Sequence, residues 1–521
     1  MTIHLPELVH DPAGVPDGAR IRRVTAEIQG ARHGTGLGHV LVEIWGAVTM
    51  VVLSAAFVAG VAATLHRSAP PELASTLVGE LPAVVVLVAL VGATLGLAER
   101  LGPVGVGGGG AAWWLPMPVP RRGLLAAPAV LRPVIGAAAG AALAPTATLA
   151  LAVPTSAMRI AVWALLGAGA LGTAVGVAAL AQHVPRAGRT VRVTGDALLV
   201  VAAAGLAALV WVPSPVEVLP LRALGAAGSL LVLTAAALTP VAARRAGDLP
   251  GGVLRRSGSV GDRVTSAVLG LDLRELGRTL TERTGPSRRR SRELHPRGPR
   301  SALLTADLLL LGRTPRALVQ LAAATLLAVA APRTALLGSS IPLYLALVVL
   351  GTWAASAGAG GARHGDLVPT LDRAFGLSAR ATRLVRGGTP ALTAAVWAVV
   401  VMGVLAADDV RWLALAPAWA LALAAGAIRA AYRPPPKAPR MPVSSPMGGV
   451  PYTAGLLVGI DVALAATLPT AIGLLVGLSP TVLGLQAVFA VAAAVGVVLS
   501  APSARPRRGS SRPAARGRAT A

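Results

Sequence analysis

Three carboxylates in this sequence fall within or at the edge of long apolar runs: Glu43, Asp196 and Asp461. A charge in hydrocarbon is costly to hold, so such groups mark proton or ion relays. Glu43 falls about one turn into its run and Asp461 about two turns into its own, while Asp196 opens one. Asp196 and Asp461 occupy corresponding places in the two halves of the chain, a pairing suited to a proton-coupled carrier. The plain alternative is that Asp196 is interfacial and Asp461 packs helices. A second chemistry is cationic. Trp113–Leu125 is a proline-stiffened turn containing Val119-Pro120-Arg121-Arg122, and Leu371–Arg383 is a second version containing Leu377-Ser378-Ala379-Arg380.

Other reactive constellations are missing from the sequence. A phosphate-binding loop of the Gly-x-x-x-x-Gly-Lys-Ser/Thr type needs its lysine to reach the phosphates, and Lys437 is the only lysine. The run Gly107–Gly110 follows no strand and reads as a flexible spacer beside the first basic turn. The histidines are scattered, with no HExxH and no i, i+4 pair, and there is no cysteine, so neither a metal nor another cofactor is expected. No Gly-x-Ser-x-Gly with a credible triad appears either. The chain is therefore expected not to be an enzyme.

Composition supplies the elements around these residues. With 54% apolar residues, 13% charged residues and a mean hydropathy of +0.69, the chain reads as an all-α polytopic membrane protein. The net charge of +25 lies between apolar runs rather than on one soluble domain, which argues against nucleic acid and for a lipid bilayer as the surroundings. Twelve runs approach the ~20 residues that cross a bilayer. They lie at roughly 40–65, 81–98, 125–153, 158–182, 196–212, 221–243, 317–332, 341–359, 388–406, 411–430, 453–477 and 480–500. Segments on one side hold clusters such as Arg121-Arg122, Arg186/Arg189/Arg192 and Arg380/Arg383/Arg386. Loops on the other side hold single arginines: Arg67, Arg159, Arg222, Arg333 and Arg411. The positive-inside rule then puts both termini in the cytoplasm and the chain in the cell membrane.

The divisions follow. Residues 1–38 form a cytoplasmic arm with an amphipathic helix from Asp17, on which Ile21, Val24 and Ile28 share a face. Residues 39–243 hold six spans, and 244–301 form an Arg-rich linker too short and polar for a core of its own. Within the linker, Leu269, Leu273, Leu276 and Leu280 make an apolar stripe. Residues 302–500 hold six more spans behind an amphipathic lead-in, and 501–521 form a disordered basic tail. The spans thus make a 6+6 parallel repeat, in which the basic turn recurs between the second and third spans of each half.

Asp307-Leu308, Arg313, Pro315 and Arg316 in that lead-in, and Leu115-Pro116 with Val119-Pro120-Arg121-Arg122-Gly123-Leu124-Leu125 in the first turn, carry a resemblance. The chain resembles two fused permease subunits of type-2 ABC exporters, and is similar to uncharacterised twelve-span membrane proteins of actinobacteria. Leu377-Ser378-Ala379-Arg380 fits the turn pattern more loosely, and the first half has no lead-in of this form. The resemblance implies an exporter permease whose basic turns dock a separate ATPase subunit through Pro120, Arg121, Arg122, Ser378, Arg380 and Arg383. The other readings are a secondary transporter using Asp196 and Asp461, and a membrane scaffold using the linker.

Overall fold

A computed structural model describes residues 17–33, 60, 80–150, 156–212, 219–269, 295–334, 337, 340–407, 409–433, 444–445, 448–449 and 458–501. Among these residues the chain is helical, apart from a two-residue antiparallel pairing of Ser444–Ser445 with Gly448–Gly449. Among the described residues ten helices are long and apolar enough to cross a membrane, and Ile460–Val476 is a shorter apolar one. In hydrocarbon every backbone N–H and C=O must pair internally, which is why apolar runs of this length become helices.

In the first half α1 (Gly18–His33) precedes α2 (Glu80–Leu101), the short α3 (Gly108–Trp113), and then α4 (Arg121–Ala150), α5 (Ala157–Ala181), α6 (Pro185–Trp211) and α7 (Leu221–Arg245). The linker region contributes α8 (Gly251–Leu269). The second half runs α9 (Pro299–Arg313), α10 (Pro315–Ala330), α11 (Ser340–Gly358), α12 (Gly360–Leu367), α13 (Pro369–Ala374), α14 (Ala379–Arg386), α15 (Gly388–Leu405), α16 (Arg411–Ala431), α17 (Ile460–Val476) and α18 (Pro480–Leu499). Local chemistry sets several starts. Ser156 and Ser479 cap α5 and α18 by accepting the N–H of Arg159 and of Val482. Pro185, Pro315 and Pro480 occupy first-turn positions, where a missing N–H costs nothing.

The spans pack as α2 on α5 and α6, α4 on α5, and α5 on α7. In the second half α11 packs on α16 and α17, α15 on α16, and α16 on α18. The halves meet where α6 lies along α10, with Trp211 Nε1 donating to the Val329 carbonyl and Arg333 stacked over the Trp211 ring. Small residues let spans approach closely. Large apolar side chains such as Leu230, Leu233, Leu475 and Val488 point outward, as a lipid-facing surface requires. The chain is a multi-pass membrane protein.

One set of polar groups inside the second half is satisfied internally. Trp397 and Trp419 stack with centroids 6.1 Å apart, and Trp419 Nε1 donates to Thr470 Oγ1 at 2.9 Å. The Thr470 hydroxyl donates to Gln486 Oε1 at 2.7 Å, and Gln486 Nε2 donates to the Ala466 carbonyl at 2.7 Å. Gln486 is fully buried. Replacing it with leucine removes the acceptor of a buried hydroxyl, with an expected cost of about 1–3 kcal/mol in thermal unfolding. An unchanged Tm would show that the network is dispensable.

Four expectations need correction. Asp461 lies in the first turn of α17, not two turns into a span, because that helix starts at Ile460. Asp196 lies well inside α6, which already starts at Pro185. Gly107–Gly110 is no flexible spacer. A Cβ at Gly107 would overlap the Asp262 carboxylate of α8, and α3 begins at Gly108. The glycines serve close packing there. The linker begins as a packed helix, with Leu249 and Leu254 fully buried. The first span with Glu43, the stripe residues Leu273, Leu276 and Leu280, and the tail beyond Ala501 lie outside the described residues.

Candidate functional site: two basic turns at one end of the bundle

Antiparallel spans of similar length bring alternate loops to the same end. The α2–α4, α5–α6 and α11–α15 connections share one end, together with the last residues of α7, α16 and α18. Contacts define it: Gln182 clamps Val104, His183 meets the Arg245 carbonyl, and Arg383 meets Val497 and Ser500. Arg159, Arg222, Arg333 and Arg411 sit at the other end, where Arg159 pairs with buried Glu80 and Arg411 donates to the Leu478 carbonyl at 2.6 Å. Glu80 also accepts the Leu219 N–H at 2.6 Å.

The first basic turn is folded under other elements. Leu115, Leu124 and Leu125 are buried with Leu249 and Leu254, and the Val106 N–H donates to the Leu254 carbonyl at 3.1 Å. α1 covers the start of α4, where Arg22 Nη1 donates to the Gly123 carbonyl at 2.9 Å. Pro120 is exposed and ends the turn, so that Arg121 is the first residue of α4. Arg121 Nη1 reaches the Leu249 carbonyl at 3.5 Å, while the Arg122 side chain stays exposed.

The second turn is more open. Gly376 takes a φ of +67°, which glycine adopts without strain, and reverses the chain after α13. The Ser378 hydroxyl then caps α14 by accepting the Ala381 N–H at 3.2 Å. Pro120 and Ser378 each immediately precede a helix. Phe375, Arg380 and Leu384 are exposed. Arg383 is not. Its Nη1 donates to the Val497 carbonyl at 3.2 Å and to Ser500 Oγ at 3.0 Å, and the guanidinium lies over Tyr432 at 4.8 Å. Of the six residues assigned to docking, Pro120, Arg122, Ser378 and Arg380 face outward, while Arg121 and Arg383 are held within the fold.

Behind the second turn lies a buried ionic cluster that the sequence did not reveal. Arg386, the last residue of α14, donates through Nη1 to Asp307 Oδ1 of α9 at 2.9 Å and forms a bidentate pair with Asp372 of α13. All three residues are buried. Burial pushes the Asp307 carboxyl up to about 6, opposed by the attraction of Arg386. Burial likewise raises the Tyr432 hydroxyl above the usual tyrosine range. Asp307 belongs to the lead-in pattern read from sequence, so that pattern and the second basic turn are joined through Arg386.

The intramembrane suspects have quieter partners. Asp196 pairs with Arg100 at 3.0 Å, and Arg100 also donates to the Gly96 carbonyl at 2.9 Å. Asp461 accepts the N–H of Gly459 at 2.6 Å and of Val462 at 2.8 Å, as a residue at a helix start does. The pairings of Arg100 with Asp196 and of Arg192 with Glu99, and the exposed Arg132 on α4, were missed in the sequence. Arg pairs separated by some ninety residues leave no local signal. Asp196 also lines a cavity of about 280 Å³ between the halves, walled by α2, α6, α10 and α11. Its surface is mainly apolar, with Arg316 and Gln320 as further polar lining groups. Among the described residues no group of three or more potential metal ligands occurs.

No curated protein and no solved structure matches the chain. Residues 75–437, which hold both basic turns, the ionic cluster and the cavity, match a family of unknown function, and the chain belongs to that family, DUF6297.

Proposed function

We propose that the chain is the membrane-spanning permease of an ABC-type exporter, moving its substrate across the cell membrane with energy from a separate ATPase subunit. The observation that carries this reading is the pair of basic turns, each starting a helix at the same end of the bundle, beneath a cavity shared by the two halves. Helix pairing supports a 6+6 repeat. Contacts of α2 with α5 and α6, of α4 with α5, and of α5 with α7 recur as α11 with α16 and α17, α15 with α16, and α16 with α18. The arginine-rich end then faces the cytoplasm under the positive-inside rule, and both termini with it. The carrier alternative loses support because Asp196 is ion-paired and Asp461 caps a helix.

The exposed guanidiniums test the docking. Arg380→Glu is expected to reduce capture of an ATPase subunit with the tagged chain by about tenfold, since a reversed charge repels an acidic partner surface. Arg122→Glu is expected to act less, because α1 and α8 already pack around the first turn. Complex formation equal to wild type in both variants would contradict the reading.

A further inference from the structure

The cluster behind the second turn holds two carboxylates on one guanidinium, with an excess negative charge sealed from water. Asp307 is 5% exposed, and its Oδ2 is buried without a hydrogen-bond partner among the described residues. Space around the acids is filled. A Cβ at Gly361 would overlap the Asp307 carboxylate, and one at Gly365 would overlap Asp372 and Arg386.

The groups facing Asp307 are few. α14 presents Arg386, α13 presents Asp372, α12 presents His364, and the end of α16 presents Tyr432. His364 Nδ1 lies 2.8 Å from the Gly360 carbonyl, and Arg363 of the same helix is turned to the Ser356 carbonyl. α15 has no titratable residue, and Arg316 of α10 lines the cavity beside Asp196. Arg386 thus donates to both acids.

We propose that this cluster is a proton-binding site, with the proton carried on Asp307 Oδ2, and that its occupancy sets how firmly α9 is held to the second basic turn. The step is simple: a proton from solvent forms an O–H bond on the carboxylate, and the cluster becomes neutral. Emptying it leaves two anions competing for Arg386 across the joint between α9, α13 and α14. Geometry and charge agree on the pH sense. The folded-state value of Asp307, about 6, lies above the ordinary carboxylate value of 3.8. The stabilisation is therefore complete at low pH and is lost as pH rises through that value. The proposal does not depend on the ATPase reading.

The test is thermal unfolding of the full chain in lipid nanodiscs, followed by tryptophan fluorescence between about pH 3.5 and pH 7.5. Wild type should lose several degrees of Tm as pH rises through this window. Asp307→Asn should show a flat profile, and His364→Gln should keep the wild-type fall. A flat wild-type profile, or an Asp307→Asn profile that still falls, would overturn the proposal. Should Asp307→Asn fail to fold, Asp372→Asn decides. It leaves one carboxylate per guanidinium and should move the fall to lower pH, so an unchanged midpoint would overturn the proposal.

Discussion

Arg386→Met is expected to cost about 3–5 kcal/mol of stability, because it removes the guanidinium that pairs with both buried carboxylates. The Arg386 side chain is 8% exposed, so water cannot replace it. Methionine keeps the unbranched apolar stem and removes the guanidinium with its charge and donors. The second turn should loosen with it, since α9, α13 and α14 all meet at this one side chain. A surface pair gives the contrast. Arg192 is 43% exposed in its pair with Glu99, and Arg192→Ala should cost no more than about 1 kcal/mol. Thermal unfolding in nanodiscs reads both. An Arg386→Met variant within 1 kcal/mol of wild type would show that the cluster is not a structural joint.

Gly140→Val is the second large effect. α4 and α5 touch backbone to backbone: a Cβ at Gly140 would lie 2.0 Å from the Gly167 carbonyl oxygen, and one at Gly167 would lie 2.2 Å from that of Gly140. A carbonyl in a helix cannot step aside as a side-chain tip can, so the whole span must move. The expected cost is about 3 kcal/mol, the upper end of ordinary overpacking, with loss of folded protein on size-exclusion chromatography. Gly403 is the control. Nothing lies within 4 Å of a Cβ there, and Gly403→Ala should be neutral or stabilising by up to about 1 kcal/mol. Equal behaviour of the two variants would refute the close crossing.

The spans were legible because hydropathy over twenty residues is a local signal. Eleven of the twelve expected runs lie on described helices, and the run at 40–65 lies outside them. What misled was charge inside a helix. Arg186, Arg189 and Arg192 ended the apolar signal, yet α6 runs through them because Arg192 pairs with Glu99 and long arginine stems reach toward water. Asp461 was misplaced for the converse reason, since apolar residues 453–459 precede a helix that starts only at Ile460. The basic turns were visible as motifs, but burial was not. Nothing local distinguishes Arg380, which is exposed, from Arg383, which is held by Ser500 and Tyr432. The Arg386 cluster was hidden for the same reason. Asp307 and Asp372 were both noticed, but their shared partner is fixed by tertiary packing across three helices.

The central claim is that this chain works with an ATPase docked on its arginine-rich end. The most direct measurement is ATP hydrolysis by the tagged chain isolated from its native membrane in mild detergent. The account predicts ATPase activity that co-elutes with the chain at constant ratio and falls about tenfold for Arg380→Glu, the outward-facing guanidinium of the second turn. A pure, folded chain without associated ATPase activity, or activity indifferent to Arg380→Glu and Arg122→Glu together, would contradict it.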